Sequence, residues 1–96
     1  MARESKLQKD IAGFLRELGY WVMVIQPQVG IPTGTSDIFF CKGAFYGFIE
    51  VKASKNSPFR PLQLEFVEKM EQWSWARVVY PENWPEIKKE LSSHCH

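Results

Sequence analysis

Three residues near the middle of the chain carry the types and spacing that chemistry needs: Asp37, then Glu50 after twelve intervening residues, then Lys52. Glu50 and Lys52 lie in Tyr46-Gly47-Phe48-Ile49-Glu50-Val51-Lys52-Ala53, a run otherwise apolar and aromatic. Side chains alternate along a strand, so Glu50 and Lys52 share one face while Ile49, Val51 and Ala53 share the other. Burying a charge is costly unless it is paired or holds a metal. Hard divalent cations are bound by carboxylate oxygens, and a lysine beside them can orient a water or stabilise charge on a phosphate. The plain alternative is a Glu–Lys pair on the solvated face of an edge strand. The strand alone leaves both readings standing.

The surrounding elements must position these groups. Leu7, Ile11, Phe14, Leu15 and Leu18 form one helical stripe over residues 4–18, with Gly19 as the stop. Glu4 falls on the inward side of that stripe at the helix start, where an acid also complements the helix dipole. Tyr20 to Ile25 is aromatic and β-branched, hence a strand. A long loop dense in Gly, Pro and small polar residues runs from Gln26 to Ser36 and must end just before Asp37. Asp37 to Cys41 is a short strand, Lys42-Gly43-Ala44 a hairpin turn, and residues 46–53 the charged strand.

Beyond Ala53 comes a polar, basic loop, Ser54-Lys55-Asn56-Ser57-Pro58-Phe59-Arg60-Pro61. Pro61 suits the first position of a helix, but Arg60 is a poor N-cap, which moves the expected start towards Ser57. Leu62, Phe66, Met70 and Trp73 make the next helical stripe. Ala76 to Tyr80 reads as a strand, and residues 83–92 as a short helix with Trp84, Ile87 and Leu91 inward. The expected order is α-β-β-β-α-β-α: a single α/β domain whose sheet is flanked by helices.

Bulk properties narrow the field. Ninety-six residues suit one domain, and 45% hydrophobic with 15% aromatic residues suit a globular fold. A formal charge of +1 means that any nucleic-acid binding must come from local basic clusters. No apolar run approaches a membrane span and no signal-peptide core is present, so a cytoplasmic protein is expected. Cys41 reads as a small buried hydrophobe. The tail His94-Cys95-His96 reads as a frayed end, because three consecutive residues cannot easily close a tetrahedral zinc site. Phosphate-loop and dinucleotide fingerprints are absent, and both histidines lie in the last three residues, which leaves no Ser/His/Asp constellation.

Taken in order, these residues resemble the PD-(D/E)XK nuclease superfamily, in particular its small stand-alone VRR-Nuc type of phages and bacteria. The resemblance rests on Glu4 at a helix start, the loop end Gly34-Thr35-Ser36-Asp37, a hairpin, Glu50-Val51-Lys52, and a basic loop into a helix with an early Gln63. It departs at Ser36, where the family name has Pro. The resemblance implies a restriction-endonuclease-like core, a mixed sheet carrying the site on one edge, and one nuclease domain over residues 1–96. Asp37, Glu50 and the carbonyl of Val51 would bind Mg²⁺ or Mn²⁺, and Glu4 would complete the first ion's surroundings or support a second ion. Lys52 would hold or activate the attacking water, and Gln63 would touch the lysine or a water.

Lys42, Lys55 and Arg60, with Thr33, Thr35 and Ser36, are the candidates for contacting DNA phosphates, a kind of contact that carries affinity without sequence readout. Trp73, Trp75 and Trp84 read as core or interface. The expected protein is a metal-dependent endodeoxyribonuclease, structure-selective for branched DNA, acting as a homodimer in a bacterial or phage-infected cell without an organic cofactor. The alternatives are a silent DNA-binding module of the same fold and an adaptor.

Overall fold

The computed structural model describes residues 2–60 and 62–94, the side chains of residues 2 and 3 excepted. Pro61 as a first helical residue, and Cys95 and His96 of the tail, lie outside the described residues.

The elements follow the expected order: α1 (Ala2–Glu17), β1 (Trp21–Val24), β2 (Ile38–Lys42), β3 (Phe45–Val51), α2 (Gln63–Trp73), β4 (Trp75–Val79) and α3 (Trp84–Ser93). Helix α1 ends as its glycine requires. Gly19 adopts φ +92, its N–H donates to Arg16 O and the Tyr20 N–H reaches back to Leu15 O, which closes the last carbonyls of the helix.

The sheet is mixed, with spatial order β1-β2-β3-β4. β1, β2 and β3 are antiparallel neighbours, whereas β3 and β4 run parallel and are connected through α2. Lys42 pairs with Phe45 across the hairpin, which leaves a two-residue turn at Gly43-Ala44. Lys52 continues the parallel ladder beyond the strand, its N–H donating to Val79 O at 2.9 Å.

One face of the sheet is the core. Ile38, Phe40, Ile49, Val51, Trp75 and Val79 meet Leu7, Ile11 and Leu15 of α1 and Trp84, Ile87 and Leu91 of α3 there. Phe14 of α1 and Trp84 of α3 meet edge to face at 5.4 Å between ring centres. Helix α2 lies on the opposite face over β3 and β4, where Phe66 packs edge to face on Phe48 at 5.2 Å. Among the described residues no helix is long and apolar enough to cross a membrane.

Several expectations fail for identifiable reasons. Helix α2 starts at Gln63 rather than near Ser57, because Ser54 and Ser57 spend their hydroxyls closing their own turn: Ser57 Oγ accepts from Ser54 N–H at 3.1 Å. The α2 stripe is half right, since Phe66 and Met70 are half-buried while Leu62 and Trp73 are exposed. The helix covers only two of the four strands, so its ends overhang. Cys41 is half-buried on the face away from the core, not enclosed. His94 belongs to no frayed tail: its ring stacks on Phe45 at 4.5 Å.

Candidate active site

Asp37 and Glu50 sit where β2 begins and β3 ends. Those positions are brought together by the antiparallel register, which pairs Ile38 with Ile49. One carboxylate oxygen of Asp37 accepts the Val51 N–H at 2.7 Å, which fixes its side chain across the end of β3. Because β3 is an interior strand, the Glu–Lys pair is not on a solvated edge: Glu50 is 1% and Lys52 7% exposed. The site therefore spans two central strands, a correction to the expected sheet-edge location.

Gln63, the first residue of α2, bridges the two charges. Its amide nitrogen donates to Glu50 Oε2 at 3.0 Å, and its amide oxygen accepts from Lys52 Nζ at 2.8 Å and from Arg60 N–H at 2.6 Å. Lys52 Nζ also donates to Pro58 O at 3.3 Å, stands 3.9 Å from Glu50 Oε2, and lies 4.9 Å from the centre of the Phe59 ring. The carbonyl of Pro58 and the ring of Phe59 were not foreseen. An aromatic residue in an otherwise polar loop was the one signal available.

Burial, first, and then the nearby charge of Asp37 push the Glu50 carboxyl up to about 8, against the opposing pull of Lys52; a hydrogen bond to Asp37 and the charge of Glu4 add to the rise. The second oxygen of Glu50, Oε1, is fully enclosed with no hydrogen-bond donor facing it. Two acceptor oxygens that face each other need a proton or a cation between them.

These groups open into a cleft of about 670 Å³ whose walls include Glu4, Thr33, Gly34, Thr35, Asp37, Glu50, Lys52, Arg60 and Gln63. Glu4 thus reaches the same cleft from α1. Among the described residues, however, no three His, Cys, Asp or Glu side chains gather as a ready-made metal cluster. Thr35 and Arg60 line the cleft, and Thr35 Oγ1 donates to Pro32 O at 2.7 Å. Lys55 is exposed outside the lining. Two candidates are corrected. Ser36 is fully buried, with its hydroxyl among the enclosed groups, so it presents nothing to a phosphate. Lys42 is at the opposite end of β2 from Asp37, where Nζ donates to Leu18 O at 3.1 Å beside the end of α1.

The loop before Asp37 and the start of α2 are locked together. Leu62, the N-cap of α2, adopts φ +75, the left-handed region that bulky residues avoid. Gly34 has φ +91, and a Cβ there would meet Leu62 O at 2.7 Å. Only glycine permits this approach.

No protein-family model matches the chain, and no curated protein does. Solved structures do. One, described as a VRR_NUC domain, superimposes with TM-score 0.74 at 22% identity, covering 98% of both chains. Another, the Archaeoglobus fulgidus Hjc, a Holliday junction resolvase from an archaeal hyperthermophile, gives TM-score 0.56 at 16% identity over 80% of this chain and 69% of its own. The chain has the restriction-endonuclease-like fold. At these identities the likeness is one of architecture: the VRR_NUC fold matches from end to end, and the residues of the cleft must carry the functional argument themselves.

Proposed function

We propose that residues 1–96 form a VRR-Nuc-like nuclease domain that hydrolyses DNA phosphodiester bonds with Mg²⁺ or Mn²⁺, preferentially in branched DNA, as a homodimer. The observation that carries this reading is the state of Glu50: buried beside Asp37, with one oxygen lacking any donor, and bridged by Gln63 to Lys52.

The donor set fits a hard divalent cation. Magnesium keeps several of its waters and is commonly held by one or two carboxylates, so a fully protein-built cage is not needed. Asp37 and Glu50 would hold the ion, with the Val51 carbonyl as a further oxygen and Glu4 at the margin of its surroundings. When bound, such an ion lowers the pKa of water and neutralises charge on the phosphate. The chain's own residues supply the positioning. Lys52 Nζ is aimed by Gln63, and its contact to Pro58 O, at 3.3 Å, is the longest of its hydrogen bonds and the easiest to exchange for a water or a phosphate oxygen. In the reaction the water's oxygen bonds to phosphorus, the bond to the leaving sugar oxygen breaks, and that oxygen takes up a proton. Arg60, Thr33 and Thr35 on the cleft wall, with Lys55 in the loop outside it, would meet backbone phosphates. That favours salt-sensitive binding without base readout. The resolvase neighbour is named for Holliday junctions, which makes four-way DNA the first substrate to try.

The test is incubation of the purified protein with labelled four-way, duplex and single-stranded DNA, with Mg²⁺, Mn²⁺ or EDTA, alongside Lys52→Ala and Asp37→Asn. Cleavage abolished by EDTA and by both variants is expected. Equal cutting by Lys52→Ala would refute the assignment, and tight binding without cutting would identify a silent module.

A further inference from the structure

The face of the sheet opposite α1 is only half covered. Helix α2 lies over β3 and β4, while the part of that face formed by β1, β2 and the start of β3 has no element above it among the described residues. The residues there are Trp21 and Met23 of β1, Phe39 and Cys41 of β2, and Tyr46 and Phe48 of β3. Register pairs Trp21 with Cys41, Met23 with Phe39, Phe39 with Phe48 and Cys41 with Tyr46. Every side chain is apolar or aromatic. Phe39 is the hub: its ring lies 6.2 Å from Trp21, 6.3 Å from Tyr46 and 5.2 Å from Phe48.

Trp21 is 58%, Met23 43% and Tyr46 40% exposed, and Trp73 at the end of α2 is 65% exposed beside them, since Ser74 Oγ donates to Tyr46 O. With ~150–250 Å² per aromatic side chain, the accessible apolar area of this patch is about 500 Å² once half-buried Phe39 and Phe48 are included. A stable interface takes ~800 Å² from each partner, roughly 60% of it apolar, so the patch supplies the apolar part that one side needs.

Charge selects the occupant. The flank of α2 turned towards the loop between β1 and β2 carries Glu65 and Lys69, which balance, while Glu71 is turned to Arg77 on β4; the margin of the patch therefore lacks the basic cluster that a nucleic acid strand stacking on the rings would need. A self-complementary apolar surface with a charged margin fits a second copy of the chain about a two-fold axis. We infer that the Trp21–Met23–Phe39–Tyr46–Phe48 face is the homodimer interface, with Trp21 and Tyr46 at its centre and Trp73 at its rim. Because Asp37, just before β2, stands two residues from Phe39, and Glu50 stands two residues from Phe48 on β3, each pair shares a face and the candidate active site opens on the same side of the sheet. In such a dimer each candidate site lies at the margin of the interface, on the face that the copy turns towards its partner.

The inference rests on the dimeric part of the proposed function, and its test leaves the acidic site untouched. Sedimentation equilibrium of the wild-type protein at micromolar concentration is expected to give twice the chain's 11.2 kDa. Trp21→Glu and Tyr46→Glu are each expected to give the monomer mass, a rise in dimer Kd of at least about thirtyfold, as for an aromatic at the centre of an interface. Circular dichroism and urea midpoints on both variants, with Trp21→Ser as a milder third, establish that the fold is retained. A monomeric wild type, or a dimer that survives all three substitutions, overturns the inference. So does a monomer that binds single-stranded oligonucleotide through Trp21, which would make the face a stacking platform. Asp37→Asn separates the two readings: it is expected to abolish cleavage at unchanged dimer mass, and a dimer that never cuts would refute the nuclease while leaving the surface intact.

Discussion

Replacing Glu50 with Gln should stabilise the fold, and by an amount that grows with pH. Glu50 is buried, and its carboxyl is held at about 8 against 4.5 for the free side chain, first by burial and then by Asp37. Between those values the folded chain keeps a proton that the unfolded chain has released. The native state then binds more protons, so the contribution of this group to stability is fully present below about pH 4.5 and is lost as pH rises towards 8. The interval of about 3.5 units corresponds to roughly 5 kcal/mol at 1.36 kcal/mol per unit, of which about 3 kcal/mol is already lost at pH 7. In a chain whose whole stability is on the order of 5–15 kcal/mol, that is large. Glutamine is uncharged and of similar size. Its carbonyl can accept from Gln63 Nε2 while its amide donates to Asp37, so it removes the titration and supplies the missing donor. Urea unfolding in EDTA, for wild type and Glu50→Gln from about pH 5 to 8.5, reads the difference, and other titrating groups cancel in it. The advantage of the variant is expected to grow by at least about 2 kcal/mol between the two ends of that range, or about 8–16 °C in Tm for a domain of this size. Parallel stability curves would refute the reasoning, because they would mean that Glu50 ionises in the folded chain as easily as in the unfolded one.

Further expectations attach to the same cluster. Mg²⁺ must displace the proton that the Glu50 carboxyl keeps near neutral pH, so calorimetry in buffers of different ionisation enthalpy should report release of up to about one proton per ion, with tighter binding as pH rises. Asp37→Asn should weaken Mg²⁺ binding and reduce the proton release without abolishing it, because burial, the larger cause of the raised Glu50 carboxyl, remains. Gly34→Ala should lose about 1–3 kcal/mol in urea unfolding, because φ +91 disfavours any side chain and the new Cβ would collide with Leu62 O. Gln63→Ala should leave Lys52 and Glu50 without their bridge and reduce kcat at least about tenfold, with a stability loss of about 1–3 kcal/mol; an unchanged kcat would reduce Gln63 to a helix-start residue.

What the sequence made legible was what periodicity and chemical type encode. The stripe Leu7–Ile11–Leu15 announced α1, the alternation of residues 46–52 put Glu50 and Lys52 on one face, and the hairpin signal brought Asp37 next to them. What stayed hidden depended on three-dimensional closure. Nothing local says that Leu62 takes a left-handed conformation, because the approach of Gly34 that accompanies it is a contact between residues 28 positions apart. Ser36 looked available for a phosphate because its neighbours are polar, yet it is buried at the foot of β2. Lys42 was close to Asp37 in sequence, but five residues of extended strand carried it to the far end of the sheet. The open aromatic face escaped for a different reason: strand alternation marks residues as facing one side or the other and does not say which side is left bare.

Gln63 shows how the cluster is made self-consistent. An amide can present either its oxygen or its nitrogen, and here the partners decide. The Arg60 N–H and Lys52 Nζ are donors and converge on one end, which must therefore be the oxygen. The nitrogen is then left facing Glu50 Oε2, which accepts whether Glu50 carries its proton on the other oxygen or has given it up. The bridge thus tolerates both ionisation states of Glu50, and Lys52 is held in place through either. Leu62 completes the device from the backbone side. Its left-handed turn starts α2 so that the first helical side chain points into the cleft instead of along the helix surface, and Gly34 leaves the room that the turn requires. Strain at Leu62 of about 1–3 kcal/mol is thereby exchanged for a fixed geometry between an acid and a lysine that stand fifteen residues or fewer from the helix start, and the loop leading to Asp37 is pinned to the same point. A change in any of the four, Gly34, Leu62, Gln63 or Glu50, should therefore be felt at Lys52.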